Sequence, residues 1–356
     1  MTHAVENDDP TLRPPDAAAF EQQIEKLKAK RSHIALPGIR FAMWPQDARF
    51  NGDLSDDSKF NERYIEADVG PGQCALLMYF WALAHHMGFI SVFFIVPWER
   101  GTYSWTWLMP IGYIPWLLVT GGMFWMTMAA ASSPSCRFNR QAQLVHVDLG
   151  GGATHVHWRD VRPFTELARG LSGWYCFILC FPMPLHNFRN KLPAKTIRYI
   201  YGSPLELNGD FDSSDWTFFS ANLERLEFIR RYMEHGLESI QPDELMKRQG
   251  LVRKMDGFPT PMPNPDWWDK LMSKVFYRLL YWLCTGPLID YWVARRRAAY
   301  RWPEEVERLC APGADLSGFD TSVVKSRTNI YYRAGMGNGY YFVDAKGRRI
   351  VSPKAL

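Results

Sequence analysis

The chain has 356 residues, room for one large or two modest domains, and a formal net charge of +4. That balance argues against nucleic acid as a partner, which would call for Lys and Arg clustered on one face; the main basic run is only Arg295-Arg296-Arg297. Mean hydropathy is −0.25 although aromatic residues make up 15%, so the apolar excess is local, and the Trp and Tyr content suits a protein with much interfacial surface.

The six cysteines (Cys74, Cys136, Cys176, Cys180, Cys284, Cys310) form no CxxC pair. Buried thiols in a reducing compartment are the simplest expectation. The stretch from Met1 to Ala19 is acidic and Pro-rich, unlike the basic and then apolar start of a secretory signal. A short helix is expected over 17–32, where Phe20, Ile24 and Leu27 recur at helical spacing. The region 1–73 is read as a cytosolic N-terminal part, partly disordered, with turn formers over 33–72.

From Cys74 to Val96 the sequence is apolar and free of formal charge, apart from the imidazoles of His85 and His86. A second charge-free run extends from Tyr103 to Ala131, interrupted by Pro110, Pro115 and Gly121-Gly122. Roughly 20 apolar residues cross a bilayer, so 74–131 is expected to form a two-helix transmembrane hairpin. Trp98, Tyr103, Trp105 and Trp107 would then lie at the membrane interface. Lys59 and Arg63 precede the runs, Arg137 and Arg140 follow them, and Arg100 alone lies between. This bias places both termini of a multi-pass protein in the cytosol. Two buried helices of a large core are the competing reading.

Over 132–239 the period changes to two. Leu144–Asp148 and Thr154–Trp158 flank Gly150-Gly151-Gly152 and read as antiparallel strands with Val145, Val147, Val156 and Trp158 on the buried face. The apolar run 170–185 is too short to span and reads as buried strands; Thr196–Leu207 is another strand. Ser213–Glu238 is an amphipathic helix with Phe219, Leu223, Leu226, Tyr232 and Met233 on one side. Strands followed by one capping helix suggest a pleckstrin-homology-like plan, an analogy without functional content. The segment 240–264 reads as a proline-rich linker. In 265–356, the side of Trp267, Trp268, Leu271, Met272, Val275, Phe276, Leu279 and Leu280 with Lys270, Lys274 and Arg278 interleaved suits a membrane-interface helix or an ordinary core helix, while a third span near 276–294 would have to bury Arg278 and Asp290. Short strands with turns at 337–339 and 345–347 end the chain. The fold class expected is thus an α+β membrane protein: a transmembrane hairpin followed by a cytosolic antiparallel β domain with amphipathic helices.

Three histidines are the most suggestive chemistry. If paired residues in the hairpin sum to 301, His146 faces His155, and His146, His155 and His157 share the face opposite the valines. Three imidazoles can ligate zinc; solvent-facing histidines are the simpler alternative, and otherwise no cofactor is expected. His85 and His86 read as helix-to-helix hydrogen-bonding groups. Gly335-Met336-Gly337-Asn338-Gly339 lacks the Lys-Ser/Thr of a phosphate loop and precedes a strand, so turn glycines are the better reading. Cys176 and Cys180 have no nearby His–Asp pattern, and no catalytic residue is assigned. The enzyme reading is disfavoured without being excluded.

With the charge-free hairpin, three short motifs, Cys136-Arg137-Phe138-Asn139-Arg140, Val156-His157-Trp158-Arg159-Asp160-Val161 and Trp302-Pro303-Glu304-Glu305-Val306-Glu307, resemble a family of uncharacterised proteobacterial membrane proteins that share a domain of unknown function. Members are often encoded near type VI secretion genes. The resemblance spans about residues 70–310 and implies an immunity or accessory role at the inner membrane of a Gram-negative bacterium. The expected function is non-enzymatic protein–protein contact with a toxin or secretion component, beside the lipid bilayer, with a homo-oligomer as a further option. A membrane-surface lipid- or ligand-sensing module and a membrane-bound metal-dependent enzyme are the alternatives.

Overall fold

The computed structural model describes residues 17–30, 32–48, 50, 52–67, 81–88, 114–115, 117–122, 124–125, 136–148, 153–169, 175–182, 197–199, 216–250, 252–254, 277–283, 285–335 and 339–350. In chain order the named elements are α1 (Ala17–Lys28), β1 (His33–Ala35), β2 (Ala42–Met43), β3 (Gly52–Asp53), β4 (Tyr64–Ala67), β5 (Cys136–Asn139), β6 (Leu144–Asp148), β7 (Ala153–His157), β8 (Phe164–Arg169), β9 (Tyr175–Phe181) and β10 (Ile197–Tyr199). There follow α2 (Trp216–His235), α3 (Glu244–Arg248), β11 (Arg253–Lys254), α4 (Tyr277–Leu283), α5 (Gly286–Ala299), α6 (Glu304–Cys310), β12 (Ile330–Ala334), β13 (Tyr340–Asp344) and β14 (Arg349–Ile350). The chain divides into two units: unit 1 is 1–68, 134–261 and 302–356, and unit 2 is 69–133 and 262–301.

Among the described residues of unit 1, the strands form three four-stranded sheets, ordered β1-β8-β9-β10, β14-β13-β12-β2 and β4-β5-β6-β7, and a parallel pair, β11-β3. The central hairpin has the register in which Val145 faces Val156 and His146 faces His155. Alternation then sends Val145, Val147 and Val156 into the core with Phe138, Trp158 and Phe181. Phe138 meets Trp158 and Phe181 edge-on, with ring centroids 6.1 and 5.6 Å apart. Burying a large apolar side chain of this kind contributes about 2–3 kcal/mol.

The sheets correct the pleckstrin-homology-like plan. The strands of 136–199 do not make one meander closed by a helix. They divide between two sheets, and each sheet is completed by a strand from the segment before residue 68. Helix α2 is also more than a cap. Leu223, Leu226, Phe228, Ile229, Tyr232 and Met233 are buried, and so are Asn222, Arg225, Glu227 and Arg230. Charges so placed need partners. Arg230 donates to both oxygens of Glu227, and Arg231 donates to one of them. The helix stops at Gly236, whose φ of +89° suits only glycine, and a Cβ there would lie 2.8 Å from the Glu62 carboxylate.

The transmembrane hairpin over 74–131 is likewise corrected: among the described residues, no helix is long and apolar enough to cross a membrane. The described part of this segment is also more polar than its lack of formal charge implied. Thr120 Oγ1 lies 2.7 Å from His85 Nε2, and His86 Nδ1 lies 2.6 Å from the Ala82 carbonyl oxygen. The multi-pass inner-membrane localisation with two cytosolic termini rested on that hairpin and falls with it, as does the membrane-protein fold class. The architecture is mixed α+β. The remainder of the two apolar runs, 74–80, 89–96, 103–113, 116, 123 and 126–131, lies outside the described residues, as do the interface candidates Trp98, Tyr103, Trp105, Trp107, Trp267 and Trp268.

In unit 2, α4 and α5 meet at a tight turn. Thr285 has φ +53°, and Gly286 packs so closely on Tyr281 that a Cβ would lie 2.2 Å from its ring. Pro287 sits in the first turn of α5, where a missing N–H costs nothing. The Tyr281 hydroxyl donates to Asp290 at 2.6 Å and ties the two helices together.

Candidate functional site

A buried polar cluster lies where α6 covers the β4–β7 sheet. It begins with Asn139 on β5, whose orientation is fixed by backbone groups. Its Oδ1 accepts from Ala142 N–H at 3.1 Å, and its Nδ2 donates to the Leu309 carbonyl at 2.8 Å. The same Nδ2 lies 3.2 Å from His146 Nε2. Because the amide nitrogen can only donate, His146 Nε2 must accept. In the neutral ring the proton then sits on Nδ1, which is 2.6 Å from His155 Nδ1. His155 Nδ1 must therefore accept, and its own proton sits on Nε2, 3.2 Å from Glu305 Oε1 of α6. This last approach is in ion-pair range but is not aligned as a hydrogen bond, and neither atom has another partner.

The pair is enclosed. His146 is fully buried and His155 nearly so, with their rings edge to face at 4.8 Å. Burial holds the His146 pKa well below the ordinary value, and the neighbouring His155 and Arg137 push it the same way. Arg137 is itself buried. It donates through Nε and Nη2 to Glu66, approaches Glu307 at 3.4 Å, and is flanked by the rings of Tyr64 and Trp302 at 4.2 and 4.9 Å. Trp302 Nε1 donates to the same Glu66 oxygen. Backbone acceptors of α6 complete the attachment, since Arg63 donates to the Cys310 carbonyl and Gln141 to Leu309 and Ala311. The Cys310 thiol, pushed up to about 11 chiefly by burial, is protonated at neutral pH and is no nucleophile.

Of the three histidines, the structure brings together two. His157 pairs with Leu144; its charged neighbours are Arg159, Asp160 and Asp320, and Arg159 is ion-paired with Asp320. Among the described residues, no group of three or more His, Cys, Asp or Glu side chains is placed to hold a metal ion. The sequence reading missed the covering helix. Its signal was available: Pro303 with Glu304, Glu305 and Glu307 is the composition of a helix start.

A second feature lies in unit 2. Large apolar side chains exposed among the described residues are Met87, Ile114, Leu117, Leu118, Val119, Trp125, Leu279, Trp282, Leu288, Tyr291 and Trp292, and outside unit 2 only Leu245 and Val323 join them. On α5, Leu288, Tyr291, Trp292 and the exposed Arg295 are spaced i, i+3, i+4 and i+7, while Ile289 is buried. Arg296 stacks on Trp125 with its guanidinium carbon 4.3 Å from the ring centre. No family model, curated protein or solved structure matches the chain.

Proposed function

We propose that the protein works by contact, without turnover of its own, and that unit 2 supplies the surface a protein partner covers. The observation that carries this reading is the concentration of exposed large apolar side chains in unit 2, ordered on α5 as one helical stripe. Scattered apolar side chains on a surface are ordinary, but a contiguous stripe marks an interaction site. Leu288, Tyr291 and Trp292 have the spacing by which a helix anchors in a partner's apolar groove. Aromatic and arginine side chains are the usual dominant anchors of such contacts. The exposed Arg278 and Arg295 suit a groove with an acidic rim. In unit 1 His146 bonds to His155 and to Asn139, whose amide is held by backbone groups, which supports a structural rather than a catalytic use of those side chains.

The motifs at 136–140, 156–161 and 302–307 add a narrower proposal, that the partner is a toxin or component of type VI secretion and the role immunity or assistance. Deleting the gene should then sensitise cells to a sibling strain delivering that toxin or impair secretion; neither effect would sink this narrower reading alone. The contact reading is tested by Leu288→Asp with Trp292→Asp, which should abolish partner binding and leave the unfolding transition unchanged. Wild-type protein that carries no partner protein and floats with anionic vesicles would replace it with the lipid-sensing alternative.

A further inference from the structure

We propose that His146 and His155 form a proton-sensitive latch that holds α6 on the β4–β7 sheet while both rings are neutral and releases it on acidification. The inference rests on the hydrogen-bond logic of unit 1 and is independent of the contact reading for unit 2. The neutral pair has one arrangement of protons that satisfies Asn139, both ring nitrogens of His146 and His155 Nδ1, because Asn139 is pinned at both ends of its amide, and it leaves the His155 Nε2 proton on the side of Glu305. A third proton has no acceptable place. On His146 it must go to Nε2, setting N–H against the Asn139 N–H. On His155 it must go to Nδ1, facing the Nδ1 proton of His146 across 2.6 Å.

The groups facing the pair do not relieve the conflict. From β5, the Arg137 guanidinium repels an added positive charge. Glu66 of β4 is taken up by Arg137 and Trp302. From α6, Glu307 also faces Arg137, and the Cys310 thiol is neutral. Arg63 is turned to the Cys310 carbonyl. Glu305 has no bond to these cations; its charge favours a cation on His155, but it faces Nε2, which already carries a proton, and supplies no acceptor for a proton at Nδ1. An added proton is therefore accommodated by separating the rings or lifting α6, where His155 or His146 meets water. The seven residues of α6 are too few to hold helical structure alone, so lifting also unwinds them.

Hydrogen exchange of the full chain between pH 8 and pH 5, corrected for the intrinsic pH dependence of exchange, reads the latch directly. The opening constant of 304–310 should be flat above the ordinary histidine pKa and rise about tenfold per pH unit below it, one proton being taken up on opening, while α2 keeps its protection. In the double variant His146→Gln, His155→Gln, which has no imidazole there to take a proton, the opening constant should not vary with pH. If that variant does not fold, the nitrogen chemical shifts of the wild-type histidines serve instead. They should show the Nδ1–H form for His146 and the Nε2–H form for His155 at neutral pH. A pH-independent opening constant, loss of α6 and α2 protection together, or the opposite tautomers would each overturn the proposal.

Discussion

The carboxylate of Glu227, in the middle of α2, accepts the backbone N–H of Met43 at 3.0 Å. The two residues are 184 positions apart, and the bond joins the main helix to the short strand β2, which pairs in parallel with β12. The same carboxylate neutralises the buried Arg230. Glu227→Ala should therefore cost about 3–5 kcal/mol, the range for removing one member of a buried charge pair. Urea unfolding measures it, and a loss under about 1 kcal/mol would mean the network is solvated.

A second carboxylate on the same helix behaves in the opposite sense. Burial raises the pKa of Glu224 to about 7, with nearby Asp47 adding to the effect and Arg225 opposing it. The folded state then binds a proton that the unfolded state releases above its ordinary value of 4.5. Glu224 thus favours folding least above pH 7, and its penalty fades as pH falls through the folded pKa towards 4.5. Glu224→Gln should stabilise the protein at pH 8, by up to about 2–3 kcal/mol, and have little effect near pH 4.5. Unfolding midpoints at the two pH values decide it; equal effects at both would contradict the assignment.

His146 gives the contrasting profile. Its folded pKa is depressed by burial, so its contribution to stability is complete above the ordinary histidine value of 6.5 and is lost as pH falls below it. His146→Gln should flatten the stability profile between pH 7 and pH 5, even if it lowers stability throughout. An unchanged acid slope in the variant would show that other groups set it.

Arg137 should resist conservative replacement. Lys offers neither the rigid fork of N–H donors that Arg137 turns to Glu66 nor a flat cation between Tyr64 and Trp302. Arg137→Lys should cost about 2–4 kcal/mol and loosen the 302–310 segment first, as read by the accessibility of Trp302 to a fluorescence quencher in a chain whose other described tryptophans are unaltered. Retained stability and unchanged quenching would count against the packing described.

The central hairpin was legible because its alternation and its glycine turn fix a register locally; the sum of 301 that set His146 opposite His155 is the register found. Helix α2 was legible from Leu223, Leu226, Tyr232 and Met233, and the C-terminal strands from their turns. The strands β2 and β3 were not, since each is two residues long and held by a parallel partner hundreds of positions away. No local period announces such a pairing. The burial of His146 and His155 was missed for the same reason: their cover, Glu305, comes from a helix 150 positions after His155. The apolar runs of 74–131 misled because the length of a charge-free run is not the length of a helix, and no described helix is long and apolar enough to cross a membrane.

The most direct test of the contact reading is the particle mass of the chain isolated from the organism that makes it, wild type against the Leu288→Asp, Trp292→Asp variant, with the composition of each particle read by peptide mass spectrometry. The wild type should run well above its own 41.3 kDa with a second protein in fixed proportion, and the variant, equally folded, should run as the lone chain. Identical particles for both, whether large or small, would contradict the claim that the α5 stripe is the contact surface.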